Sequence, residues 1–280
     1  MIIHKAKSFS LRNGLELEVL TAVPERPRTC VVVWPCMGGA VQMYRMPVER
    51  FTMAGCACVL YNPRGHGRSA GGMEIPEALA DLEEVLASRI PADIPLIIVG
   101  HSAGANAVLQ FGATFRPPQF NILVAPVLDS RESLFFMYRK KTIQEFIDIL
   151  CTYITGDDAV VRAVLSDEQW LSPDKWYQER YRDLLDQVPA RTPIGSFLEK
   201  LFIPGHNAFQ ELAASSRRCL IMMAKEDSWY PAETVQRLAI DHNIQVQKVE
   251  EAVNHFFAGG WDRVWDTTME MIIRGEPASK

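Results

Sequence analysis

No apolar run in the chain approaches the roughly twenty residues of a helical membrane span, so a protein threaded through a bilayer is not expected. The start, Met1-Ile2-Ile3-His4-Lys5, has no apolar h-region behind it, which argues against a secretory signal. Six cysteines include no Cys-x-x-Cys pair, and no histidine lies at zinc-ligand spacing from them. Cys30, Cys56, Cys58 and Cys219 fall in or beside strand-like runs, where they read as small buried hydrophobes. A reduced, cytoplasmic setting is the expectation, with neither metal nor cofactor implied. A basic block is also missing: 29 Lys and Arg face 34 Asp and Glu, for a net charge of −5. The one tight cluster, Arg139-Lys140-Lys141, reads as a solvated helix face, so no nucleic-acid partner is expected. There is no internal repeat or low-complexity stretch. Hydrophobic residues at 48% against 22% charged give an ordinary globular balance, enough for one well-buried domain with an insertion.

What is present is an alternation of strand and helix from about residue 29 onward, which implies a mostly parallel sheet. Strand runs are expected at 29–34, 56–61, 95–100, 120–125, 219–224 and 244–249. Ahead of them, Lys7 to Arg12 and Leu15 to Thr21 flank Asn13-Gly14, a hairpin signal. Pro76 opens a helix whose Leu79, Leu82, Val85 and Leu86 share one face, and a final helix carries Phe257, Trp261, Val264, Trp265 and Ile272. The interval from 131 to 216 is too long for one crossover. Helical stretches are expected in it at Thr142 to Leu150, Asp157 to Leu165, Pro173 to Leu185 and Ile194 to Phe202.

The most specific feature is Gly100-His101-Ser102-Ala103-Gly104, set between the apolar run Leu96 to Val99 and a small-residue helix. Strand, sharp turn with glycines on both sides of a serine, then helix: this is the pattern of a nucleophile elbow. A serine hydroxyl attacks only when a base takes its proton and an acid orients that base. With this elbow the chain order is serine, acid, histidine. Of the six histidines, His4 and His66 precede the serine and His101 is the elbow's own neighbour. His206 lies in a Pro-Gly-His-Asn turn and His242 closes a helix beside Asp241, where a cation meets the negative dipole end. His255 follows a strand and a short loop and is the candidate base. Asp227, directly after the run Cys219 to Ala224, is the candidate acid; Glu226 beside it and Asp129 after the earlier strand are the alternatives. An oxyanion needs preorganised amides. The candidates are the backbone N–H of Ala103, next to the serine, and that of Met37, in the loop after Cys30 to Trp34. Cys36 is a nucleophile by residue type alone and reads as packed.

These places make the chain resemble the α/β-hydrolase superfamily over nearly its whole length: Met37-Gly38-Gly39, Arg64-Gly65-His66-Gly67-Arg68-Ser69, the Gly100 to Gly104 elbow, and the Asp227 and His255 loops. The resemblance implies a core from 1–130 and 217–280, with a helical cap at 131–216 between strands 6 and 7 that would cover the serine. It also implies a structural role for the Arg64–Ser69 segment, so His66 is not read as catalytic. The chain departs from lipase-, esterase- and peptidase-like members in carrying Pro35-Cys36 where His-Gly is usual, and Ala224 where the acid loop usually has glycine. The expected function is hydrolysis of a carboxylic ester of a small apolar molecule through an acyl-enzyme on Ser102. A peptidase, a thioesterase, a carbon–carbon bond hydrolase and a non-catalytic ligand-binding protein remain open beside it. Epoxide and haloalkane hydrolases resemble this fold but place aspartate where Ser102 stands.

Overall fold

The structure, a computed structural model, describes residues 2–37, 39–72, 74–139 and 205–274. Two strands open the chain, β1 (Ile2–Ser10) and β2 (Glu16–Val23), paired antiparallel around a turn where Gly14 takes φ +83°. The first strand therefore starts at Ile2, earlier than the hairpin signal alone suggests. The alternation follows: β3 (Thr29–Trp34), α1 (Val48–Met53), β4 (Cys56–Tyr61), α2 (Ile75–Arg89), β5 (Leu96–His101), α3 (Ala103–Thr114) and β6 (Phe120–Val124). Beyond these come α4 (Ser130–Arg139), α5 (Phe209–Ser215), β7 (Cys219–Ala224), α6 (Ala232–Asp241), β8 (Gln245–Val249) and α7 (Trp261–Arg274). The sheet order is β1-β2-β4-β3-β5-β6-β7-β8; β2 meets β4 antiparallel, and every pair from β4 to β8 is parallel.

The central strands are apolar and buried along their whole length because helices cover both faces. Side chains alternate between those faces. Val32, Ile98, Leu123 and Ile221 pack with Leu82, Val85, Val108, Phe111 and Val235 of α2, α3 and α6. Val31, Val33, Val99, Ile122 and Leu220 pack on the other side with Phe51 of α1 and Val264, Trp265 and Met269 of α7. Cys56 and Cys58 lie in that second layer, side by side on one face of β4.

The final helix begins at Trp261, later than its apolar pattern suggests. Phe257 takes φ +59° and Gly259 φ +82°, and the N–H groups of Phe257 and Gly260 close two turns onto Asn254 and Phe257 carbonyls. Left-handed backbone cannot be continued into an α-helix, so His255 sits on a loop. Of the 131–216 interval, the structure describes α4 and the stretch from Gly205 through α5; the four helical stretches expected at 142–202 lie outside the described residues. The two described ends meet. Asp129 and Asn207 form an isolated bridge, and the Ser130 N–H donates to the His206 carbonyl at 2.9 Å.

Candidate active site

Strand ends at one edge of the parallel sheet carry the candidate residues, as open α/β sheets lead one to expect. Ser102 stands between β5 and α3 with φ +57° and ψ −124°, a strained conformation for a residue with a side chain. Its surroundings hold it there. The Ser102 N–H donates to the Val124 carbonyl at 3.0 Å, and its own carbonyl accepts from Ala105 and Val127. The flanking glycines are required by contact: a Cβ on Gly100 would lie 2.7 Å from the Gly104 carbonyl oxygen, and one on Gly104 would collide with the Pro35 carbonyl. Strand, helix and the loop after β3 thus close around the serine.

His255 is 2% exposed, and its Nε2 is 2.8 Å from the Ser102 Oγ. Its Nδ1 is 2.9 Å from Asp227 Oδ2, while Asp227 Oδ1 accepts the backbone N–H groups of Trp229 and Tyr230 at 2.8 and 3.0 Å. A carboxylate only accepts. His255 therefore carries its proton on Nδ1, and Nε2 is the atom that accepts from the serine hydroxyl. The Trp229 ring stacks on the imidazole at 5.4 Å and 16°, fixing its plane.

The alternatives are employed elsewhere. Asp129 caps α4 through the Glu132 N–H at 2.8 Å and accepts from Asn207 at 2.6 Å; Glu226 is exposed. His66 is buried, donates from Nδ1 to the Arg64 carbonyl at 3.1 Å, and burial pushes its pKa down to about 4. His242 is the C-cap of α6. The Cys36 thiol is buried and pushed up to about 11 by that burial, the opposite of an activated nucleophile.

Ala103 is the first residue of α3, so its N–H has no intrahelical acceptor. In the loop after β3, the Cys36 N–H donates to the Tyr44 hydroxyl at 2.6 Å and the Gly39 N–H to the Cys36 carbonyl at 2.9 Å. Met37 and Ala103 line one cleft together with Trp34, Pro35, His66 and Ala107. Gly38 lies outside the described residues. Two neighbours of the site escaped sequence reasoning. Trp229 was signalled only by its place two residues after Asp227. Tyr44, in the 3-10 turn Val41–Tyr44, carried no motif at all. Among the described residues no group of three His, Cys, Asp or Glu is placed to hold a metal, and no helix is long and apolar enough to cross a membrane.

Comparison with known proteins agrees with this architecture. Residues 25–255 match the family described as serine aminopeptidase, S33. Over 124 residues the chain is 27% identical to a monoacylglycerol lipase of Mycolicibacterium smegmatis, a match spanning 42% of this chain and less than half, 44%, of that relative. In fold it is similar to a carboxylesterase structure from Nitrososphaera gargenis, at a TM-score of 0.69 and 15% identity over 96% of this chain and 98% of that one. An esterase from Exiguobacterium antarcticum aligns with a TM-score of 0.68 and 14% identity, over 96% of this chain and all of the other, 100%. A soluble variant of the monoglyceride lipase of Saccharomyces cerevisiae, solved with a substrate analogue, gives 0.64 and 15% over 98% and 95%. Since the family match takes in every parallel strand of the sheet and both loops that meet Ser102, this chain belongs to the serine aminopeptidase S33 family of α/β-fold hydrolases.

Proposed function

We propose that the protein hydrolyses a carboxylic ester of a small, apolar molecule through an acyl-enzyme on Ser102. The observation that carries this reading is the 2.8 Å contact between His255 Nε2 and the Ser102 Oγ, with Asp227 behind the same ring. Oγ attacks the ester carbonyl as its proton passes to Nε2, and the tetrahedral oxyanion lies against the amides of Ala103 and Met37. The imidazolium, oriented and stabilised by Asp227, returns the proton to the departing alkoxide as the C–O bond breaks. Water, deprotonated by the same nitrogen, then attacks the acyl-serine, and Ser102 leaves with the proton. Ester chemistry is favoured by the monoacylglycerol lipase relative. In this reading residues 131–216 form a cap over the site and shape the pocket between core segments 1–130 and 217–280.

The family's description as serine aminopeptidase supports a second reading, cleavage of an amide after a small N-terminal residue by the same groups. The test is a panel of p-nitrophenyl esters, aminoacyl p-nitroanilides and acyl thioesters, run on the protein and on Ser102→Ala. Ester turnover that Ser102→Ala lowers by roughly ten-thousandfold or more, with fluorophosphonate labelling of Ser102, is the expected result. Preference for the anilides selects the second reading. A serine silent to both probe and panel makes the protein a ligand binder.

A further inference from the structure

His101, beside the nucleophile, points away from the hydroxyl and is 2% exposed. Both of its ring nitrogens are nevertheless engaged. Nε2 is 2.9 Å from the backbone carbonyl oxygen of His255, and Nδ1 is 3.0 Å from the Tyr44 hydroxyl. A carbonyl oxygen only accepts, so Nε2 carries the proton. Burial pushes the His101 pKa down to about 3, with His255 nearby adding to the effect, so the ring is neutral and Nδ1 is an acceptor. The Tyr44 hydroxyl must then donate to Nδ1. Its oxygen is left to accept, and it does so from the Cys36 N–H at 2.6 Å. Every proton in the chain runs one way: Cys36 N–H to Tyr44 oxygen, Tyr44 O–H to His101 Nδ1, His101 Nε2–H to the His255 carbonyl.

We infer that His101 and Tyr44 are positioning residues that tie the loop bearing one oxyanion amide to the loop bearing the base; this rests on the acyl-enzyme reading above. The two loops are far apart in sequence, and no backbone hydrogen bond is needed between them if this link holds. The Cys36 N–H lies in the peptide before Cys36, while the Met37 N–H shares its peptide plane with the Cys36 carbonyl, which accepts from the Gly39 N–H at 2.9 Å. The Tyr44 bond and this one hold the two peptides on either side of Cys36 and together set the direction of the Met37 amide. At the other end, the His255 carbonyl belongs to the residue whose imidazole takes the proton. Trp261 packs edge-on against both rings, 4.5 Å from Tyr44 and 5.3 Å from His101, and the Trp265 indole N–H donates to the Tyr44 carbonyl at 3.1 Å. The link is therefore clamped from α7. A tautomer other than Nε2–H would turn an acceptor toward the His255 carbonyl and break it.

The test uses p-nitrophenyl butyrate and three variants, Tyr44→Phe, His101→Leu and His101→Gln. Glutamine keeps a donor for the His255 carbonyl and an acceptor for Tyr44; leucine keeps neither. Both variants loosen the loops while leaving the oxyanion amides in place, so Tyr44→Phe and His101→Leu should lower kcat about tenfold or more with KM within about threefold. His101→Gln should recover most of that loss. If Tyr44→Phe does not fold, the contrast between the two His101 variants decides. Nitrogen-15 spectra of histidine-labelled wild type should show His101 as the neutral Nε2–H tautomer at pH 5. Wild-type kcat in Tyr44→Phe, a glutamine variant no better than the leucine one, or an Nδ1–H or charged His101 overturns the inference. Those results with an inactive Ser102→Ala sink the link alone, whereas an active Ser102→Ala removes the reading beneath it.

Discussion

Two loops at the same edge of the sheet each carry a buried histidine, and the chain treats them in opposite ways. In the loop after β4, the His66 ring closes on its own backbone, donating to the Arg64 carbonyl. Around it the Arg64 guanidinium forks onto Asp81 at 2.7 Å through two nitrogens, and Ser69 donates to the Asn62 carbonyl at 2.6 Å. In the loop after β8, His255 instead faces a carboxylate on one nitrogen and a hydroxyl on the other. Burial is nearly the same, 6% and 2% exposed. The difference lies in the partners: a carbonyl fixes a ring, while a carboxylate fixes it and also stabilises the charge it acquires on taking a proton. In the proposed mechanism a buried histidine serves as a base only where its environment accepts the cation.

Replacing each histidine in turn is the strongest way to break this contrast. His255→Ala should lower kcat on an ester by roughly a millionfold, the scale of losing a triad base. His66→Gln should keep kcat within about tenfold in the folded fraction, since the donor to Arg64 is retained. His66 lines the cleft, so KM is the parameter free to move and kcat the one that discriminates. Comparable kcat losses in both would erase the distinction. The next largest effect sharpens it from the carboxylate side. Asp227→Asn keeps the shape but removes the charge that stabilises the imidazolium, and its amide N–H competes for Nδ1 and favours the wrong tautomer. The expected loss in kcat is roughly ten-thousandfold, with KM little changed. A variant turning over at wild-type rate would mean that orientation alone suffices.

How much of this was legible beforehand follows from range. The elbow was legible because glycine, serine and glycine between an apolar run and a helix is a local pattern, and the close approaches at Gly100 and Gly104 are made by the residues next to them. Asp227 and His255 could be named because each follows a strand by a few residues and the chain order narrows the choice. The start of α7 was misjudged because apolar periodicity continues through Phe257, while the left-handed backbone that ends it leaves no such trace. The Tyr44–His101–His255 link was out of reach for a different reason. His101 and His255 are 154 residues apart, and their meeting depends on the spatial order of strands that the chain does not visit in sequence. Tyr44 has no periodicity or motif to mark it; only the folded loop brings its hydroxyl to a nitrogen.

The smallest effect is on stability. His66 and His101 are both depressed by burial, to about 4 and about 3, while an unfolded chain has histidines near 6.5. Between those values the unfolded state binds protons that the native state refuses. Their stabilising contribution is therefore complete above about pH 6.5 and is lost as the pH falls toward the native values. At pH 5 each ring should cost about 2 kcal/mol relative to pH 7.5. Thermal melts at the two pH values should show a clear drop for the wild type. In His66→Gln the drop should shrink by about the share of one ring, whatever the variant's own Tm at pH 7.5, because glutamine does not titrate. An unchanged drop would mean that His66 takes up its proton as readily in the native state as in the unfolded chain, and the contrast between a loop histidine kept neutral and one that faces a carboxylate would lose its first half.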